Sequence, residues 1–592
     1  MNNQEKDLIK IMFKNPFINQ RLLTELSGIS LGKVNQSLKT LQAEDYLDTN
    51  MKLTNRAYSL IDNNKPRNAI ILAAGYGMRM IPINTEIPKG LIKVHDEVLI
   101  ERLINQLHDC NVFDITIVVG FMKESYEYLI DKYNVKFKVN VDYGIKNNLH
   151  TLNLVADIIG NTYILPCDIW CGENPFSKIE LYSWYMVSDM FDDESDVRVN
   201  RKQELVKTNN GGNQMIGITY ITKDDSNVLI NNLKEYDKSN KYITSFWEEA
   251  LYNRDRMYVI AKVANSKNTY EINTFEQLRE IDDQSEHLRS ETLELIASVF
   301  NTTVAEIEEI TTIKKGMTNR SFLFKCKEKK YIMRIPGEGT DKIINRYQEY
   351  NVYNVIKDLG ICDDIYYINP NNGFKISGYF ENVRVCDAED MNDVAKCMKK
   401  LREVHEMRLE VDHTFDIFGQ IDYYESLWGG DVSIYSDYNE TKKKIMELKE
   451  FIDKQDKCWS LAHIDAISDN FLFVKSDNNA DAPEETKIID WEYAGMQDSC
   501  VDVAMFALYA LYDREQIEQL IDAYYYDGCD KSVRLKIYSY IAVCGLLWSN
   551  WCEYKRHLGV EFGEYSLRQY RYAKDYYKIF KEEFAVKGDI TK

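Results

Sequence analysis

Two stretches of this chain carry residues of the types and spacing needed to work on phosphate. The first is AIILAAGYGMRMIPINTEIPKG, Ala69 to Gly90. Its apolar opening, Ala69-Ile70-Ile71-Leu72, reads as a short buried parallel strand. Gly75 and Gly77 follow at once and let the backbone approach a ligand, so the turn they make with Leu72, Ala73 and Ala74 can aim its amides at a triphosphate. Arg79 and Lys89 supply positive charge where a leaving pyrophosphate needs it, and Pro82 and Pro88 stiffen the loop between them. That set suits nucleotidyl transfer. The second stretch is His463-Ile464-Asp465-Ala466-Ile467-Ser468-Asp469-Asn470, with Asp490 in Ile488-Ile489-Asp490-Trp491-Glu492 twenty residues after Asn470. Phosphoryl transfer needs a carboxylate beside the acceptor hydroxyl and two oxygen ligands for Mg2+. Asp465 suits the first task, Asn470 and Asp490 the second.

Positioning both sets takes more than one core. The 592 residues imply an α/β multidomain chain of roughly three to five domains. A hydrophobic content of 45% and an aromatic content of 12% are those of globular protein. The net charge of −21 argues against broad nucleic-acid or membrane-surface binding, because anionic phosphates would be repelled. No apolar run reaches membrane-span length and no signal-peptide core follows Met1, so a cytoplasmic location without membrane association is expected. The twelve cysteines lack framework spacing and read as buried thiols, and Cys167 and Cys171 lack partners for a zinc site.

Residues 1–65 read as a small helical module. Leu26-Ser27-Gly28-Ile29-Ser30 followed by a helical Leu31 to Leu41 has the pattern of a helix-turn-helix, with Tyr46 to Leu53 as the hairpin of a wing. It resembles the winged helices of bacterial regulators. Lys33, Asn35, Gln36 and Lys39 would face DNA, but nine Lys and Arg against seven Asp and Glu make a weak phosphate-binding surface, which favours docking or dimerisation over DNA reading. A homodimer is compatible with this. Residues 68–285 alternate strands and helices, which predicts a mainly parallel sheet with ligands at the strand carboxyl ends. Asp168 follows the third strand, where a carboxylate could hold Mg2+ against an α-phosphate.

The full L-A-A-G-x-G-x-R-M arrangement with its later P-K resembles nucleotide-sugar pyrophosphorylases and the bacterial phosphocholine cytidylyltransferases. The resemblance implies a Rossmann-like domain in which Arg79 and Lys89 contact the triphosphate of CTP. Asn147-Asn148-Leu149-His150-Thr151-Leu152 resembles a stretch of the phosphocholine enzymes and makes Asn148 a nucleotide contact. The relatives' second metal aspartate falls at Asn273, in Tyr270-Glu271-Ile272-Asn273-Thr274. Asparagine brings a carbonyl oxygen without charge, so Glu271 is the candidate to take over. Trp247 is a candidate cation–π face for a quaternary ammonium, with burial in the core as the alternative.

Residues 290–592 open with a glycine-turn hairpin at Lys315-Gly316-Met317-Thr318-Asn319, which can fold over ATP phosphates. Arg334 projects from the next strand as counter-charge, where protein kinases use lysine, and Glu349 is its expected partner. With the H-x-D-x-x-x-x-N loop and I-D-W-E-Y, this region resembles the choline and ethanolamine kinases, especially the bacterial Lic-type choline kinases, and so a bilobal protein-kinase-like fold. Choline must be selected by aromatic faces and carboxylates. Glu492, Tyr509, Trp548 and Trp551 are the candidates, with a core stripe as the alternative for the tryptophans. Together the resemblances imply a bifunctional enzyme making phosphocholine with ATP and CDP-choline with CTP. The alternatives are the same reactions on ethanolamine or another small amino alcohol, and a winged-helix regulator whose degenerate enzyme domains sense a metabolite.

Overall fold

The computed structural model describes residues 1–592 apart from 16–18, 314–318, 338–339, 476–483, 558–561 and 591–592. The chain divides into two compact units, Met1–Leu295 and Ile296–Lys592.

The first unit begins with α1 (Asn3–Lys14), α2 (Gln20–Ser27), α3 (Leu31–Ala43) and α4 (Asn55–Asn64). Asn2 and Glu5 close a capping box on α1. Gly28, at φ 66°, ends α2 in the left-handed conformation that turns the chain toward α3. The wing is a single bridge between Leu47 and Leu53, shorter than the expected hairpin, because Asp48 Oδ1 accepts from the Asn50 and Lys52 amides and closes a tight turn between them. Leu8, Ile9 and Met12 of α1 share a core with Ile179 and Leu181 of the following domain. Around it the Tyr182 hydroxyl donates to Asp7 at 2.6 Å and Lys10 Nζ to the buried Glu180 at 2.7 Å. The winged helix is thus fixed to its neighbour through α1, and Lys33, Gln36 and Lys39 of α3 stay exposed while Asn35 is half-buried.

The neighbouring domain is built on a ten-stranded sheet. Strands Lys136–Val139, Asp114–Val119, Asn68–Ala73 and Thr162–Pro166 lie side by side and parallel. Beyond them Gly212–Ile221 runs antiparallel to both of its neighbours, Thr162–Pro166 and Trp184–Asp192. The sheet is mixed where a mainly parallel one was expected. No helix separates the strands between Trp184 and Ile221, and without a crossover element consecutive strands pair antiparallel.

In the second unit a five-stranded antiparallel sheet runs in the order Glu308–Ile313, Asn319–Cys326, Lys329–Pro336, Lys375–Gly378, Ile365–Ile368. Helix Arg346–Ile356, capped by Asn345, follows its third strand. Further along lie two small antiparallel sheets, Trp459–Ala462 paired with Gly495–Asp498, and Phe471–Val474 between Val383–Val385 and Glu485–Ile488. They are embedded in a helical body whose longest buried element is Lys531–His557. A sheet bearing one helix, joined to a helical body, is the bilobal arrangement expected.

Candidate functional sites

In the first unit, parallel strand ends open onto a cavity of about 480 Å³. The loop from Leu72 to Gly77, Arg79, Lys89, Asn148, Asp168 and the Glu271/Asn273 pair all line it. Asn84 holds the glycine loop in place by donating to the carbonyls of Tyr76 and Gly77 at 2.9 and 3.0 Å. Gly77 itself sits at φ 60°, a conformation that favours glycine. Strand Thr269–Glu271 pairs antiparallel with Ile169–Cys171, and the Ile272 amide donates to the Asp168 carbonyl at 3.1 Å. That clamp brings two acidic segments, far apart in sequence, to one wall.

Lys89 Nζ is ion-paired with Asp168 Oδ2 and donates to Asn273 Oδ1 at 2.7 Å. Arg79 donates to the same amide oxygen at 3.2 Å. Asn273 therefore gathers the two cations, while Asp168 Oδ1 is buried without a hydrogen-bond partner. Burial, and then the Asp168 charge, push the Glu271 carboxyl up to about 7 against the pull of Lys89. A second carboxylate close to a buried, unpartnered carboxylate oxygen is a donor set suited to a hard cation.

Trp247 does not face this cavity. Its side chain is 1% exposed, packed in the core beside Tyr185, and its amide donates to Asn148 Oδ1 at 2.8 Å. The adjacent Phe246, 60% exposed, lines the cavity with Tyr76 and Tyr143. An indole is buried by default, and neighbouring residues at the start of a short helical turn point opposite ways, which residue type alone does not reveal.

In the second unit the expected Arg334–Glu349 pair is present. The Arg334 guanidinium makes two contacts with the Glu349 carboxylate, one at 2.9 Å, and donates to the Gly373 carbonyl at 3.1 Å. These charges hold Glu349 down to about 2 despite its burial. Gly316 and Thr318 lie outside the described residues, and Asn319 begins the strand after them.

Asn470 Nδ2 donates to the Asp465 carbonyl at 2.9 Å and to its Oδ2 at 3.2 Å. The Ile489 amide donates to the Asn470 carbonyl at 2.9 Å and draws in the Asp490 segment. Asp490 stands at φ 66° and Ile464 at φ 69°, strained positions that a surrounding network must hold. Much of that network is Asp502, fully buried, which accepts the His463 and Ile464 amides at 2.7 Å each and faces His405 Nε2 at 3.0 Å. Nothing in the local sequence around Asp502 signals this role. Burial, then Asp490 and Glu492, raise the Asp465 carboxyl to about 8.

Trp548 and Trp551 stand edge to face at 5.6 Å, 8% and 6% exposed, and Tyr493 packs edge-on against Trp548. The Tyr509 hydroxyl donates to Asp469 at 2.9 Å. Burial above all, with the Asp465 charge as a smaller contribution, raises the hydroxyl pKa of Tyr424, Tyr493, Tyr509 and Tyr565, so four phenol rings lie in its field. Three of them were not anticipated, because they come from separate helices and loops. Glu492 lines a cavity of about 550 Å³ with Tyr424 and Tyr493, but its carboxylate is turned inward. It receives Arg346 at 3.3 Å and Asn319 Nδ2 at 3.2 Å, a buried ion pair in place of the expected acceptor contact.

Family models match in chain order. Residues 1–48 match a winged helix-turn-helix DNA-binding domain, 69–171 a MobA-like NTP transferase domain, and 310–542 choline/ethanolamine kinase. A choline-phosphate cytidylyltransferase of Streptococcus pneumoniae is 26% identical over 229 residues, 36% of this chain and 96% of that protein. A 2-aminoethylphosphonate cytidylyltransferase of Lancefieldella rimae is 30% identical over 200 residues, 32% of this chain and 81% of its own length. The crystal structure of choline kinase LicA from Streptococcus pneumoniae covers 48% of this chain and 96% of its own at 27% identity, with a TM-score of 0.42. Among the described residues no helix is long and apolar enough to cross a membrane. The chain belongs, through its first half, to the cytidylyltransferase branch of the nucleotidyltransferases, and that domain lies in one polypeptide between a region matching a winged helix and a region matching choline/ethanolamine kinase.

Proposed function

We propose that this chain converts choline to CDP-choline in two steps, phosphorylating choline with ATP in its second unit and joining the phosphocholine to CTP in its first. The observation that carries the reading is the catalytic loop in which Asn470 donates to Asp465 at 2.9 and 3.2 Å, together with the packed rings of Tyr493, Trp548 and Trp551, in a region matching choline/ethanolamine kinase. A trimethylammonium group has no hydrogen to donate and is held by aromatic faces and negative charge.

In the kinase step Asp465 takes the proton of the choline hydroxyl as its oxygen bonds to the γ-phosphorus and the bond to ADP breaks. Arg334, paired with Glu349, supplies buried positive charge behind the phosphates. Asn470 and Asp490 would hold Mg2+. In the transferase step a phosphocholine oxygen attacks the α-phosphorus of CTP and pyrophosphate leaves toward Arg79 and Lys89. Asp168 and Glu271 would hold Mg2+ there, Asp168 through its unpartnered Oδ1. When bound, the ion neutralises phosphate charge during transfer. Each site offers one or two carboxylates, which suits an ion that keeps water and substrate phosphates as its other ligands. Tyr76, Tyr143 and Phe246 supply aromatic faces for the choline head of the acceptor.

The 30% identical relative that acts on 2-aminoethylphosphonate favours a second reading of the transferase alone, in which the acceptor carries a primary ammonium. Assays with choline and ethanolamine for the kinase, and with phosphocholine and 2-aminoethylphosphonate for the transferase, separate the two. A preference for the trimethylated acceptor in both is expected, and a preference for the primary amine in either overturns the choline assignment of that domain.

A further inference from the structure

Arg346 takes no part in the chemistry described above, yet its contacts join the segments that would surround ATP. It precedes Glu349 by three residues on one helix and so shares its face. Its Nη1 donates to Glu349 at 2.9 Å and to Glu492 at 3.3 Å, while its Nη2 reaches Thr340 Oγ1 at 3.3 Å and Asn319 Oδ1 at 3.5 Å. Asn319 closes the circuit by donating to Glu492 at 3.2 Å. Arg346, Glu349 and Glu492 are 7%, 1% and 6% exposed. The shelf behind them is the turn at Gly373, φ +70°, where an added Cβ would lie 2.8 Å from Arg346 Nε.

Two guanidiniums therefore face two carboxylates. Both arginines are shared between them: Arg334 pairs with Glu349 and stands 3.6 Å from Glu492, while Arg346 bonds both carboxylates and makes the nearer of the two contacts to Glu492, two residues beyond Asp490. Without Arg346 Glu492 would lose its nearer guanidinium and keep only the longer Arg334 contact, leaving more negative charge beside Asp490 and Asp465, where a triphosphate must come to rest. Breaking a buried pair by removing one partner exposes the full desolvation penalty of the other.

We propose that Arg346 is a positioning residue of the kinase, a clasp that neutralises Glu492 and ties the end of the nucleotide loop to the metal-bearing segment, so that its loss weakens ATP binding while leaving the acceptor site intact. This rests on the kinase reading given above.

The test uses the full chain as wild type, R346K, R346M and R346M/E492Q, with Mg-ATP affinity read by calorimetry, KM for choline from initial rates, and folding checked by thermal unfolding. R346M should weaken Mg-ATP by about tenfold, as expected for a stranded buried charge, with KM for choline changed less than about twofold on the same argument. R346K should fall between, keeping the charge but losing the fork. R346M/E492Q, which removes both members of the pair, should recover most of the lost affinity, and it carries the test if R346M alone does not fold. Unchanged Mg-ATP affinity in R346M, or no recovery in the double variant, overturns the proposal. A wild-type chain that binds Mg-ATP but does not phosphorylate choline overturns the acceptor reading and leaves the calorimetric test of Arg346 standing.

Discussion

In the transferase site the cations face the cavity: Lys89 and Arg79 share the Asn273 amide oxygen and stand ready to turn onto a substrate phosphate. In the kinase site the cations are withdrawn, with Arg334 and Arg346 buried against Glu349 and Glu492 while Asp465 and Asp490 are left to the reactants. A nucleotidyl transfer releases pyrophosphate, and a leaving group of that charge needs movable cations beside it. A kinase keeps most of the nucleotide bound through the step and gains from a frame arranged in advance. The same charge chemistry is thus deployed as contact in one unit and as scaffold in the other.

Four measurements would break or sharpen that contrast. The largest effect belongs to D465N, which should cut choline phosphorylation by about 10²- to 10⁴-fold, the usual worth of a positioned base, and leave CTP-dependent conversion of supplied phosphocholine unchanged. Next comes K89M, expected to slow the transferase by about 10²- to 10³-fold, as loss of a transition-state contact does, with kinase rates unaffected. If K89M lost only folded protein, seen as equal loss of both activities, its contact role would be excluded.

A smaller effect is expected from N273D. Restoring a carboxylate beside Asp168 and Glu271 should lower the Mg2+ concentration for half-maximal transferase activity several-fold, readable also as tighter Mn2+ binding by electron paramagnetic resonance. Unchanged metal affinity would mean that residue 273 does not face the ion. The smallest effect is a pH shift. Asp465 must be ionised to accept a proton, and since its carboxyl stands at about 8, kinase kcat/KM should rise as pH climbs through that value. Glu492 helps hold it there, so E492Q should move the rising limb toward lower pH, by a fraction of a unit as expected for one neighbouring charge. A shift toward higher pH contradicts the electrostatic account.

Much of this organisation is legible in the residues alone. The glycine turn after Ala69–Leu72 and the Asp465, Asn470, Asp490 series sit at strand ends, and Arg79 and Lys89 in short turns of the loop that follows the first, where local pattern and site coincide. What the pattern hides is the direction of a side chain once the core has formed. Trp247 and Phe246 are neighbours, yet the first is core and the second faces the cavity. Glu492 follows Asp490 by two residues and was expected to face the acceptor, but two arginines from a distant helix and strand draw it inward. Tyr424, Tyr493 and Tyr565 come within the field of Asp465 from separate elements, and Asp502 supports the catalytic loop from the start of another helix. Residues assembled only by tertiary packing leave no spacing to read. The attachment of α1 to Ile179 and Leu181 is of the same kind.

The most direct test of the whole account is a 31P NMR time course of the purified chain with choline, ATP, CTP and Mg2+. Phosphocholine should rise first and then give way to CDP-choline and pyrophosphate, and omitting CTP should leave phosphocholine as the end product. Phosphocholine that accumulates with CTP present, and no CDP-choline even when phosphocholine is supplied, would contradict the claim that both phosphate sites work.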